Sequence, residues 1–206
     1  MRRKNMKLTF KGIFKSYDEL PKGNLPANAV KFKEVKGFLM LNLISFLIAV
    51  PVCLALRETA RLRMDNATQL RPMLLWGLLS MAVCIVPHEI IHGLAMGGEE
   101  VFIYFSPKNL LAFCIAFSPM SKTRFFIMGI APSFILGWLP FIAAMIFPDL
   151  AVSGFLAMAG IINILTGVGD WIKIFLAAVQ VPKGCFIQFS GIDLYWFKPD
   201  REASIA

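Results

Sequence analysis

The sequence predicts an all-α polytopic membrane protein with about four transmembrane helices. Hydrophobic residues make up 57% of the 206 residues, charged residues make up only 17%, and the mean hydropathy is +0.67. Soluble domains carry about 25% charged residues, so this chain is too apolar to be one of them. A bundle of a few spans uses almost the whole length, which predicts one membrane domain with short ends.

Four segments of the chain are apolar and long enough to cross a bilayer, which takes about 20 helical residues. They are Gly37–Leu56, Met73–Gly98, Phe125–Phe147 and Leu150–Val181. In the third segment Pro132 and Pro140 predict kinks. The alternative is a three-span arrangement in which one segment is re-entrant.

Positive charge is concentrated before residue 37, where ten of the 21 Lys and Arg residues lie. This pattern indicates membrane topology and lipid contact rather than nucleic-acid binding. It predicts a basic cytoplasmic segment (1–36), a membrane-embedded domain (37–181) and a short cytoplasmic tail (182–206). The residues that oppose this orientation lie in the loop after the first span: Arg57, Arg61, Arg63 and Arg71.

A β-hairpin is predicted directly after the second span. Val101–Phe105 and Ala112–Phe117 are rich in aromatic and β-branched residues, and the turn-forming stretch Ser106–Asn109 separates them. Strand edges cannot face lipid, so the hairpin is expected at the interface or in a watery cavity. There it would be a template for an extended peptide, although an interfacial loop without a binding role fits the sequence equally well.

The only two histidines of the chain lie in the second span, in Pro87-His88-Glu89-Ile90-Ile91-His92-Gly93. Residues four apart share a helix face, so both imidazoles can point at one metal ion with Glu89 beside them. Ionisable residues are costly in a membrane span and usually mark a functional site. The alternative is that the two imidazoles only pack against, or hydrogen-bond to, their neighbours.

A catalytic zinc ion generally takes three protein ligands, so the two histidines need a partner. Asp170 is the leading candidate because it is ionisable within an apolar span, on the helical face it shares with Asn163 and Thr166. Its alternative role is an ion pair with Lys173. Further candidates are the reserve ligands Glu99 and Glu100, and Cys84, which lies one turn before His88 although cysteines in membrane helices usually only pack.

This combination resembles the site-2 protease type of intramembrane metalloprotease, in which an HExxH helix and an aspartate from a later helix bind zinc. It is still more similar to small bacterial membrane proteins known as putative zincin peptidases. That similarity covers roughly Met73–Pro199 and runs through His88-Glu89-Ile90-Ile91-His92-Gly93, Ala112-Phe113-Cys114, Ala131-Pro132 and Gly169-Asp170. Site-2 proteases typically carry a proline-rich stretch and an Asp-Gly pair, whereas Trp171 follows Asp170 here.

The resemblance implies a zincin-like domain in a bacterial plasma membrane, with His88, His92 and Asp170 binding Zn²⁺. Zinc lowers the pKa of bound water to about 7, and Glu89 would act as the general base. Asn163 would contact the substrate backbone or the developing oxyanion. The implied substrate is a protein or peptide in or beside the lipid bilayer. The alternative is a non-catalytic membrane metal-binding protein for transport, sensing or scaffolding, in which Glu89 is not needed as a base.

Overall fold

The structure is a computed structural model that describes residues 7–13, 20–35, 38–64, 67–97, 100–106 and 111–199. The expected hairpin turn and the reserve ligand Glu99 lie outside the described residues. Six α-helices contain most of the described residues: α1 (Phe38–Arg63), α2 (Ala67–Met96), α3 (Lys122–Pro132), α4 (Leu139–Ile146), α5 (Ser153–Thr166) and α6 (Val168–Gln180).

The helices agree with the four predicted apolar segments. Within the described parts of the chain, three stretches are long and apolar enough to cross a membrane, namely Leu39–Arg63, Leu74–Met96 and Lys122–Ile146. Helices α5 and α6 pass the same test as a pair bent by 45°, so they count either as a fourth, broken span or as a re-entrant segment.

The third span is irregular at the predicted prolines. Pro132 is the last residue of α3, a π-helical segment follows at Ser133–Trp138, and Pro140 lies in the first turn of α4. Proline has no backbone N–H and its ring crowds the preceding turn, so the regular hydrogen-bond ladder cannot pass through Pro132 unchanged. Single π-helical turns of this kind occur frequently at functional sites.

Two small sheets accompany the helices. The first has the order β1-β3-β4, from the strands β1 (Lys7–Ile13), β3 (Glu100–Ser106) and β4 (Leu111–Ala116). The second has the order β2-β7-β6-β5, from β2 (Val30–Lys31), β5 (Met120–Ser121), β6 (Phe186–Ser190) and β7 (Asp193–Phe197). Strands β3 and β4 are antiparallel, with Val101 opposite Ala116, which confirms the predicted pairing after the second span.

The class "all-α" is therefore too narrow, because the described residues form seven strands as well as the helices. Four of them lie in the segments predicted to be terminal tails: β1, β2, β6 and β7. Strand β1 pairs in parallel with β3, so that Lys7 lies opposite Glu100. Such pairings join residues that are far apart in sequence, and local hydrophobic periodicity does not reveal them.

The contacts divide the chain into two compact units, each with its own apolar core. One unit takes the described parts of Met1–Glu34, Glu89–Gly129 and Lys173–Ala206, and its core includes Val101, Ile115, Met120, Phe125, Ile187 and Leu194. The other takes the described parts of Val35–His88 and Ile130–Ile172, and its core includes Ala60, Phe141, Ala157, Ile161 and Ile164. Helix α2 is continuous and contributes to both units.

Candidate metal centre

The HExxH motif lies on one uninterrupted helix, α2. The potential ligand atoms of His88, Glu89 and His92 are all within 4.8 Å of one another, as the spacing of the motif predicts. His92 is buried, with 4% of its surface exposed, and His88 is partly buried. Among the described residues, the group that could hold a metal ion consists of these three residues of the motif and contains neither Asp170, Cys84 nor Glu100. Glu100 is exposed at the start of β3.

Asp170 is placed by the break between α5 and α6. Gly167 separates the two helices, and its carbonyl accepts the backbone N–H groups of Asp170 and Trp171 at 3.0 and 3.1 Å. Asp170 therefore lies in the first turn of α6, where the helix dipole favours a carboxylate. Its Oδ2 atom is 3.3 Å from Nε2 of His88. The predicted approach of the fourth span to the motif is present, while the role of Asp170 as a ligand remains a prediction.

The chemistry and spacing of these groups fit zinc. Two donors bound tetrahedrally to zinc, each about 2.0–2.2 Å from the ion, lie roughly 3.3–3.6 Å apart. The separation of His88 Nε2 and Asp170 Oδ2 is 3.3 Å. Two imidazoles and one carboxylate are also a common protein ligand set of catalytic zinc sites.

The imidazole of His92 is held by a backbone carbonyl. Its Nδ1 atom lies 2.8 Å from the carbonyl oxygen of Met128 in α3. A carbonyl oxygen only accepts hydrogen bonds, so Nδ1 carries the proton and the lone pair of the neutral ring is on Nε2. Metal-binding histidines are typically oriented in this way by a carbonyl or carboxylate on the other nitrogen. The sequence analysis did not predict this contact. Pro132 could have indicated it, because a proline cannot donate to the carbonyl four residues earlier, which is that of Met128.

Asn163 joins α5 to α2. Its side-chain N–H groups donate to the carbonyl of Ala159 at 2.8 Å and to the hydroxyl of Ser80 at 3.3 Å. The Ser80 hydroxyl donates in turn to the carbonyl of Gly77 at 2.6 Å. Asn163 is 3% exposed, and both of its N–H groups are used within the protein. Contact between Asn163 and a substrate stays a prediction, but an oxyanion would have to compete for these donors.

Gly93, the residue after His92, allows two apolar side chains to pack close to the motif. A Cβ atom at Gly93 would lie 2.8 Å from Cδ2 of Leu8 in β1 and 3.1 Å from Cγ1 of Val101 in β3. Since Glu89 and Gly93 are four residues apart, Leu8 and Val101 pack on the helix face that also carries Glu89. The sheet β1-β3-β4 therefore borders the motif, which the hairpin prediction alone did not reveal.

The end of α2 is fixed by a glycine and an arginine. Gly97 has a φ of +48°, a left-handed conformation that favours glycine and commonly ends helices. The Nε–H of Arg124 donates to the carbonyl of Ala95 at 3.0 Å. A cation at this position satisfies a terminal carbonyl and interacts favourably with the helix dipole. The two contacts define where the helix of the motif stops.

Comparison with known proteins adds one match. Residues 81–186 match the model of a family described as "Putative zincin peptidase". No curated protein and no solved structure matches the chain. The matched range covers 106 of the 206 residues and contains His88, Glu89, His92 and Asp170. Because the match spans more than half of its length, this chain belongs to the Putative zincin peptidase family.

Proposed function

We propose that the protein is a membrane-embedded zinc metallopeptidase that hydrolyses peptide bonds of membrane or membrane-adjacent proteins. The observation that carries the proposal is the contact between His88 and Asp170, at 3.3 Å, beside an intact HExxH motif. The HExxH motif and the Asp170 carboxylate belong to different apolar helices and come into contact. Ionisable side chains are costly in such helices, so packing alone does not explain their presence. Membership of the zincin peptidase family supports the same conclusion.

His88, His92 and Asp170 would hold Zn²⁺. When bound, the ion would polarise the scissile carbonyl and lower the pKa of water to about 7. The Met128 carbonyl binds Nδ1 of His92, which would leave the Nε2 lone pair to bind the ion. His88 and Asp170 are both partly buried, so this part of the site is shielded from bulk water.

Glu89 is the residue we assign to proton transfer. Its carboxylate lies within 4.8 Å of the ligand atoms of both histidines, close enough to reach a water molecule held between them. It would accept a proton from the attacking water and return it to the departing amine. A non-catalytic metal-binding protein would not need this carboxylate as a base, so Glu89 distinguishes the two functions.

The apolar helices support an assignment to the cell membrane. In the part of the chain that the structure describes, three helices are long and apolar enough to cross it, or four if the bent pair is one span. Large apolar side chains on α1 and α2 are exposed, among them Leu39, Phe46, Leu75 and Val83. A lipid surround would cover these side chains, which would otherwise contact water. A peptidase in this setting would meet substrates within or beside the bilayer.

The first test is zinc content, measured by plasma emission spectrometry on detergent-purified protein. We expect one zinc ion per chain in the wild type and a strong loss in His88→Ala and Asp170→Asn. Asp149→Asn is the matched control, because Asp149 is an exposed aspartate after α4 and should not affect zinc. A wild type that stays metal-free after zinc reconstitution would contradict the proposal.

The second test separates catalysis from metal binding. Glu89→Gln should retain zinc but lose at least 100-fold in the cleavage of fluorescein-labelled casein, because general-base catalysis contributes about 10²–10⁴-fold. The wild type and Asp149→Asn should cleave casein equally well. Full activity of Glu89→Gln would contradict the mechanism, and a zinc-loaded wild type that cleaves nothing would favour the non-catalytic alternative.

A further inference from the structure

Pro132 and the carbonyl that holds His92 are four residues apart on α3. In an α-helix, the N–H of residue 132 would donate to the carbonyl of residue 128. Proline has no N–H, and its ring crowds the carbonyl four residues earlier. The Met128 carbonyl therefore lacks its usual helical donor, and it is this carbonyl that accepts the Nδ1–H of His92 at 2.8 Å.

Met128, Pro132 and His92 are all buried, so water cannot supply the hydrogen-bond donor that the Met128 carbonyl lacks. Met128 is 5% exposed, His92 is 4% exposed, and Pro132 is less than 2% exposed. A buried carbonyl without a donor is strongly unfavourable in an apolar environment. The Nδ1–H of His92 supplies a donor in place of the missing backbone N–H. In return, the carbonyl sets both the tautomer and the orientation of the ring.

We infer that Pro132 is a positioning residue for the metal site: it keeps the Met128 carbonyl available to His92, so that the Nε2 lone pair of His92 is presented to the metal. This inference rests on the proposed function for its consequence, since His92 must be a ligand for its orientation to matter.

The tautomer of His92 can be measured without any metal. The chain has only two histidines, so ¹⁵N-histidine labelling with His88→Gln leaves one imidazole in the spectrum. In zinc-free protein in detergent micelles, we expect a protonated Nδ1 and an unprotonated Nε2 for neutral His92. With Pro132→Ala the restored N–H should compete for the Met128 carbonyl and give a mixture of the two tautomers. An unchanged single tautomer in Pro132→Ala would overturn the inference.

Zinc affinity provides the second measurement, by competition with a graded chelator. Pro132→Ala and the more volume-conserving Pro132→Val should both weaken zinc binding at least tenfold, as loss of such a supporting contact typically does. Either variant suffices if the other does not fold. Pro140→Ala is the matched control. It also removes a proline from the same span, but Pro140 lies in the first turn of α4 and not four residues after Met128. Its zinc affinity should stay within twofold of the wild type.

The two measurements separate failure of this inference from failure of the proposed function. A wild type that binds zinc, together with Pro132 variants of unchanged affinity and tautomer, would overturn the role of Pro132 and leave the peptidase proposal standing. A wild type that binds no zinc would contradict the peptidase proposal, and the tautomer of His92 in the zinc-free protein would still decide whether Pro132 orients the ring.

Discussion

Buried hydroxyl groups in the apolar spans show how individual residues affect stability. Ser153 is 1% exposed and donates to the carbonyl of Phe147. Ser133 is also 1% exposed, but its hydroxyl has no hydrogen-bond partner among the described residues. It is directed at the backbone of Gly167, where a side chain of any size would collide with it. An unsatisfied buried hydroxyl costs about 1–3 kcal/mol.

Ser133→Ala should therefore stabilise the protein. We expect the free energy of unfolding to rise by about 1 kcal/mol, because the variant removes the unsatisfied group and leaves Cβ in place. Ser153→Ala is the matched control and should lower it by about 1 kcal/mol, because a hydrogen bond is lost. Denaturant unfolding in detergent measures both. A loss of stability in Ser133→Ala as large as that in Ser153→Ala would contradict the expectation.

At the scale of elements, contacts between α2 and α5–α6 align the two spans. A Cβ atom at Gly77 would lie 3.2 Å from the backbone of Met158, Ser80 bonds to Asn163, and His88 contacts Asp170. The contact positions increase along both spans together, so the spans run in the same direction. On the continuous helix α2, Ser80 lies about 12 Å before His88. We expect the bond between Ser80 and Asn163 to hold the two spans in the register at which Asp170 meets His88.

Removing this bond should weaken both stability and metal binding. Asn163→Leu and Ser80→Ala should each lower the free energy of unfolding, and a double-mutant cycle should give a coupling of about 0.6 kcal/mol, typical of hydrogen bonds between membrane helices. Thr166→Val is the control, because the Thr166 hydroxyl donates to the carbonyl of Asn163 within its own helix. Zinc affinity should fall in Asn163→Leu and not in Thr166→Val. Strict additivity of the two single variants would show that the bond does not couple the helices.

For the whole molecule, the sequence analysis predicted those features of the fold and of the site that depend on composition and on local residue spacing. The four apolar segments can be recognised from the sequence alone. So can the HExxH motif and the aspartate in a later segment, because charged residues are rare in such segments. The parallel pairing of β1 with β3 and the pairing of Val30 with Trp196 join distant residues, and β2 and β5 have only two residues each. The bond between His92 and Met128 also depends on packing that no local pattern specifies.

The topology of the whole chain gives the last prediction. If α5 and α6 form one broken span, four crossings would place the N-terminal segment and the strands β6 and β7 on the cytoplasmic side, and the α4–α5 connection outside. Lys22, Asp149 and Lys183 are exposed and report these three regions. Each is replaced by cysteine in a chain whose native cysteines are substituted, and a membrane-impermeant maleimide is applied to intact cells and to inside-out vesicles.

We expect Asp149→Cys to be labelled in intact cells, and Lys22→Cys and Lys183→Cys to be labelled only in inside-out vesicles. The basic segment before residue 37 predicts this orientation, because cytoplasmic segments are typically enriched in Lys and Arg. Labelling of Lys183→Cys in intact cells would favour the three-span arrangement with a re-entrant α5–α6 pair. It would also contradict the sheet in which Val30 of β2 pairs with Trp196 of β7, because that pairing places both strands on one side of the membrane.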